Sequence, residues 1–132
     1  MSYREQFGLG VAEFNRGEFF ECHDTFEELW MEARGERKLF LQGLVQSAVG
    51  CFHSMSGNLR GSHSQLTRAL EKLDGYRPSF EGVSVDALID GLQHLHRAVQ
   101  SGLESGSFEF DAAIVPSIDY QPDHPDALVQ DA

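Results

Sequence analysis

Cysteine is scarce in this chain. Only Cys22 and Cys51 occur among 132 residues, and they form no CxxC pair. A zinc ribbon or thioredoxin-like redox motif is thereby excluded. Two unpaired cysteines fit a reducing compartment, where the thiol commonly behaves as a small buried hydrophobe. Positive charge is scarce too. Ten lysines and arginines face 21 aspartates and glutamates, for a net charge of −11. No lysine or arginine follows Arg97, while Glu104, Glu109, Asp111, Asp119, Asp123, Asp126 and Asp131 do, so only −4 belongs to the chain up to Arg97. Nucleic-acid affinity is driven largely by lysine and arginine releasing counterions, so a nucleic-acid partner is not expected. Long hydrophobic runs are missing: none approaches the roughly 18 residues of a membrane span. The opening MSYREQFGLG lacks the basic-then-apolar order of a signal peptide. The expectation is a cytoplasmic protein without a membrane partner. Proline is nearly absent before residue 104, with Pro78 the one exception.

What is present is helical periodicity. Hydrophobic residues make up 41% of the chain, enough for one domain with a real core. A first helix is predicted over about 3–15, with Phe7, Val11 and Phe14 on one side and Asn15 and Gly17 suited to end it. A second is predicted over 18–33, and a third, the most apolar, over 36–55. A fourth runs over 59–73 with the stripe Leu59, His63, Leu66, Leu70 and Leu73. Ser84 reads as the N-cap of a fifth, ending near 103, with Leu88, Leu92, Leu95 and Val99 inward. No alternating strand pattern precedes residue 103. Short connections make successive helices antiparallel neighbours. The fold expected is all-α: a single compact bundle of about five helices over 1–103, followed by an acidic, proline-containing tail over 104–132. Phe108 to Val115 is the part of that tail suited to dock on the body.

Chemistry concentrates in HDTFEELW, residues 23–30. At roughly 100° per residue, Phe19, Phe26 and Trp30 define the buried centre of the second helix, with His23 beside them. Glu27 lies one step round, flanked by Phe20 and Met31. Glu21, Asp24, Thr25 and Glu28 point the other way. A partly buried carboxylate requires a partner, and His23 is one turn away. The third helix carries Gln42, Gln46 and His53 on one edge of an otherwise apolar cylinder, with Gly43, Ser47 and Gly50 beside that edge. In an antiparallel hairpin, Trp30 comes near Phe40, Glu27 near Gly43 or Gln46, and His23 near Gln46 to Gly50. Two readings follow. In one, Glu27, His23, Gln46 and His53 form a satisfied buried network that fixes helix register. In the other, His23, Glu27 and His53 are a two-histidine, one-carboxylate set for zinc, iron or manganese.

Several known arrangements are absent. Asp24, not glutamate, follows His23, and Glu27 stands where a second histidine would complete HExxH. No histidine has a glutamate three residues before it, against a ferritin-like di-iron bundle. There is no glycine-rich phosphate loop and no Gly-x-Ser-x-Gly elbow. His63 reads as a core histidine, and His94 and His96 cannot share a helix face.

The runs FNRGEFFECHDTFEELW, ERKLFLQGLVQSAVGCFH and GNLRGSHSQL, within about residues 13–73, together resemble the domain-of-unknown-function 309 family. That resemblance implies an all-helical fold and an unsettled role, with a metal-dependent hydrolase as a suggested label. The motif positions it implies are Asn15, Gly17, His23, Asp24, Glu27, Trp30, Gln42, Gly43, Gln46, His53, Asn58 and Gly61. Asp24 stands where glutamate is usual and Ser62 where alanine is common. The shorter acid shifts weight onto Glu27. The function expected is thus a helical protein with a polar pocket between its second and third helices. As a hydrolase it would hold a divalent ion on His23, Glu27 and His53, with Asp24, Glu27 and Gln46 as catalytic residues. The alternative is a non-catalytic interaction or homodimerisation module. In that case the third helix's small residues and the fifth's leucines supply the interface. A metal-free small-molecule pocket is a further option, since aromatic rings beside a few polar groups suit one.

Overall fold

The structure is a computed structural model describing residues 1–125. Its helices are α1 (Tyr3–Asn15), α2 (Phe19–Glu32), α3 (Gly35–Met55), α4 (Leu59–Asp74) and α5 (Val85–Ser105). A two-stranded hairpin, β1 (Ser79–Phe80) and β2 (Val83–Ser84), precedes α5, and a 3-10 turn, Ala112–Ile114, follows it. The helix ends have local causes. Ser2 and Glu5 form a reciprocal capping box on α1. Asn58 accepts from Gly61 N at 3.0 Å to start α4, and Ser84 caps α5. Among the described residues no helix is long and apolar enough to cross a membrane.

Each helix packs on the next in sequence, with α3 in the middle between α2 and α4. Phe40, Leu41, Leu44, Ala48 and Cys51 of α3 are fully buried. Glycine sets the approach of α4. A Cβ on Gly50 would lie 2.7 Å from Leu66 Cδ2, and one on Gly43 3.1 Å from Leu73 Cδ2. As the contact moves forward along α3 it moves backward along α4, so the two run antiparallel. The small residues that sequence alone offered to a second copy are therefore used against α4. The α5 leucines, Leu88, Leu92 and Leu95, are fully buried within the same core.

The absence of strands before residue 103 is corrected by the hairpin. Its two-residue turn, Glu81-Gly82, has φ of 47° and 86°, the positive pair that a tight right-twisted hairpin needs. Strands of two residues are too short to show a period. Arg37 of α3 holds the turn through both Glu81 oxygens, at 2.9–3.0 Å, and covers the Tyr3 ring at 4.3 Å.

The segment after α5 docks further along than Val115. Ile118 is buried, and Asn15 clasps its backbone from both sides: Nδ2 donates to Ile118 O at 3.0 Å and Oδ1 accepts from Ile118 N at 2.7 Å. Tyr120 bridges to Val83 and packs edge-on against Phe7 at 5.1 Å. Residues 126–132 of the expected tail, with Asp126 and Asp131, lie outside the described residues.

Candidate functional site

On α2 the inward side is made by Phe19, Cys22, Phe26 and Leu29, with Thr25 buried beside them. Thr25 was expected to face solvent, and α1 is the reason it does not. α1 packs on that side of α2 and brings a buried Glu13, whose Oε1 accepts a 2.6 Å hydrogen bond from Thr25 Oγ1. The buried sector of α2 is rotated accordingly. Phe20 and Met31, expected to flank Glu27 with apolar cover, are 55% and 65% exposed. The Glu27 side chain is 47% exposed and that of His23 26%. Glu27 thus stands at the edge of the core.

His23 sits between two carboxylates. Its Nδ1 is 3.3 Å from Asp24 Oδ1 and its Nε2 is 3.3 Å from Glu27 Oε2. Asp24 is therefore on the opposite side of the ring from Glu27, with a 61% exposed side chain. The spacing of Nε2 and Oε2 would suit two neighbouring positions on one ion, each about 2 Å from it. Among the described residues no third donor joins them. His53 points to the start of α4, with Nδ1 3.4 Å from Asn58 Nδ2 and Cδ2 2.9 Å from where a Gly61 Cβ would stand. Between the histidines run the rings of Phe20 and Phe52, in steps of 5.8, 5.8 and 6.0 Å. Among the described residues no three His, Cys, Asp or Glu side chains are grouped to hold a metal ion. The donors present do not fit a three-ligand metal centre. The imagined strip of Glu27, His23, Gln46 and His53 is divided: Glu27 and Gln46 meet, His23 borders them, and His53 belongs elsewhere.

Glu27 and Gln46 meet in a recess of about 250 Å³ lined by Glu27 and Trp30 of α2, Gln42, Val45 and Gln46 of α3, and Gln65 and Arg68 of α4. Helical periodicity builds it, since every contributor lies one turn from a companion on its own helix. Packing of α2 on α3 brings Glu27 and Trp30 into one lining with Gln42, Val45 and Gln46. Lys38 donates to Trp30 O at 3.0 Å and sits 4.4 Å over the indole ring, so it fixes that ring in place. The polar groups are notable for what they do not engage. Gln46 Oε1 is buried without a hydrogen-bond partner. Gln42, Gln65 and Arg68 make no side-chain hydrogen bond or ion pair with the described residues. Gln42 and Gln46 were visible in the sequence as a polar edge on an apolar helix. Gln65 and Arg68 were missed, because on α4 they belong to an ordinary polar face until α3 is laid beside them.

Other polar clusters have plainer roles. Burial pushes the Cys22 and Cys51 thiols well above their usual range, with Glu13 adding to it at Cys22, so neither is a thiolate nucleophile. His63 of α4 stacks on His96 of α5 at 4.5 Å. Thr67 donates its hydroxyl proton to His63 O at 2.8 Å, so His96 Nε2, 2.9 Å away, is the donor to Thr67 Oγ1.

Comparison with known proteins follows the same segment of chain. The uncharacterized protein YpuF of Bacillus subtilis (strain 168) is 25% identical over 87 residues, which cover 64% of this chain. The match spans about half of YpuF's length, 50%. A family model also matches residues 7–65, from the first turns of α1 into α4, and so contains Glu27, Trp30, Gln42 and Gln46 together with Gln65, leaving Arg68 just beyond it. Across those residues the chain is similar to the family described as Domain of unknown function (DUF309).

Proposed function

We propose that the protein binds a small molecule in the recess between α2, α3 and α4. The observation that carries this reading is the recess itself, where Gln42, Gln65 and Arg68 present two amides and a guanidinium without hydrogen-bond or ion-pair partners among the described residues, beside Trp30 and beside Gln46, whose Oε1 is buried without a partner. An unsatisfied buried polar atom costs about 1–3 kcal/mol. A fold has little reason to keep one on its central helix unless something meets it. The apolar contribution of Trp30 and Val45 beside a few polar groups is the usual composition of a ligand site.

Trp30 is the one tryptophan in the chain and lines the recess, so tryptophan-selective fluorescence reports on it alone. A fragment set titrated against the full chain should change that fluorescence and shift the side-chain amide resonances of Gln42, Gln46 and Gln65. If no fragment perturbs either signal, the reading fails.

A metal-dependent hydrolase is supported only by the His23–Glu27 pair. Its test is elemental analysis of untagged protein, with melting followed after adding zinc or manganese. No stoichiometric metal and no shift in melting would dispose of it.

A further inference from the structure

Resting on the assignment of this recess as a ligand site, we infer that its ligand is a short zwitterion. The ammonium end lies toward Glu27 and Trp30, and the carboxylate end toward Arg68 and Gln65. Two opposite charges line one small cavity from different helices without neutralising each other. Glu27 and Arg68 are not within ion-pair distance of one another, and Arg68 has no ion pair among the described residues. One oxygen of Glu27, Oε2, faces His23, while Oε1 has no hydrogen-bond partner among the described residues. α3 packs on both α2 and α4, so the acid and the guanidinium stand on the two walls with the Gln42–Gln46 edge as the floor.

Each class of ligand can be scored against that arrangement. A monoanion satisfies Arg68 and meets repulsion from Glu27. A monocation does the reverse, and an uncharged molecule leaves both charges as they are. A molecule with ammonium and carboxylate at opposite ends answers both. Its ammonium has three donors, and Glu27 Oε1, without a hydrogen-bond partner among the described residues, accepts one of them. A carboxylate takes the guanidinium fork of Arg68 in a paired geometry. The volume of about 250 Å³ is below the roughly 300–1,000 Å³ of sites for drug-sized ligands. That restricts the chain between the charges to a few atoms, as in an ω-amino acid or a dipeptide.

The experiment is a Trp30 fluorescence titration of the full chain. The zwitterions are β-alanine, 4-aminobutanoate, 6-aminohexanoate and dialanine, and the single-charge counterparts are butanoate and butylammonium. At least one zwitterion should bind tenfold or more tighter than both counterparts. Arg68→Gln should remove the advantage over butylammonium, and Arg68→Lys should restore part of it. Glu27→Gln should remove the advantage over butanoate. The Glu27 side chain is 47% exposed and Arg68 is exposed, and a melting curve for each variant separates lost binding from lost fold. If single-charge or neutral fragments bind as tightly as every zwitterion, the zwitterion inference is overturned while the recess remains a ligand site. If no compound of any charge alters Trp30, both fall.

Discussion

Gln46 lies between Val45 and Ser47 on a largely apolar helix, and its side-chain amide oxygen is buried without a partner. Replacing it by leucine, of similar size, removes the desolvation penalty. Gln46→Leu should therefore raise the denaturant midpoint, by about 1 kcal/mol of stability, while abolishing the fluorescence response to ligand. A lowered midpoint would mean that Oε1 is engaged after all. His23 and Glu27 behave differently. Both are partly exposed, and an ion pair of that kind contributes at most about 1 kcal/mol. His23→Ala should accordingly leave the unfolding midpoint nearly unchanged, in contrast to Asn15→Ala. Asn15 makes two hydrogen bonds to Ile118, and removing them should cost about 1–3 kcal/mol in denaturant unfolding. His96 adds a pH dependence. Burial first, then the neighbouring His63 and Arg97, holds its pKa below the usual histidine value. The unfolded chain titrates near 6.5 and so binds more protons than the folded chain just below that pH. The contribution of neutral His96 is thus complete above about pH 6.5 and is lost as pH falls toward the folded value. Stability of the wild type should drop between pH 7 and pH 5, and His96→Gln should make that drop shallower.

At the scale of elements, the α3–α4 contact is the most demanding in the bundle. A methyl at Gly50 would enter the Leu66 side chain and come within 3.3 Å of its backbone nitrogen. Gly50→Ala should destabilise by about 1–3 kcal/mol through overpacking, read from thermal or denaturant unfolding. Because α4 carries Gln65 and Arg68, the same substitution should also weaken ligand binding by displacing one wall. The α2 face teaches the complementary lesson. A wheel drawn for α2 alone places Phe19 and Phe26 inward, as they are, but it also centres Trp30, which is only partly buried. It does not say where the buried sector ends, since that depends on which helix arrives on each side. α1 covers Thr25, and nothing among the described residues covers Phe20 or Met31 to the same degree.

For the molecule as a whole, the acidic C-terminal segment is part of the packing. Ile118 is buried in the main core, and Tyr120 closes over Phe7 and beside Val83. Arg4 reaches it with a 2.6 Å hydrogen bond to Pro122 O and a 3.9 Å approach to Asp123. Truncation after Ser105 should cost about 3 kcal/mol or more, given roughly 1.5–3 kcal/mol for a buried isoleucine plus the Asn15 bonds. Loss of cooperative unfolding at 25 °C would be the extreme form of that outcome, and an unchanged midpoint would contradict the docking.

The sequence by itself determined the five helices, their ends and their antiparallel order. Those rest on local physics: apolar residues at helical spacing, Ser84 as a cap, glycines where the chain turns left-handed. It also brought Glu27 to the stretch of α3 that holds Gly43 and Gln46, because short connections fix the register of a helical hairpin, and the recess contains Glu27 and Gln46 together. The tertiary structure alone decided which polar groups share a cavity. His53 lies against Asn58 and Gly61 at the start of α4, and Gln65 and Arg68 join the recess from α4. Neither event has a local signal, since each depends on the rotation of one helix against another. That rotation is set by the glycine contacts of Gly43 and Gly50 with α4, summed over the whole interface.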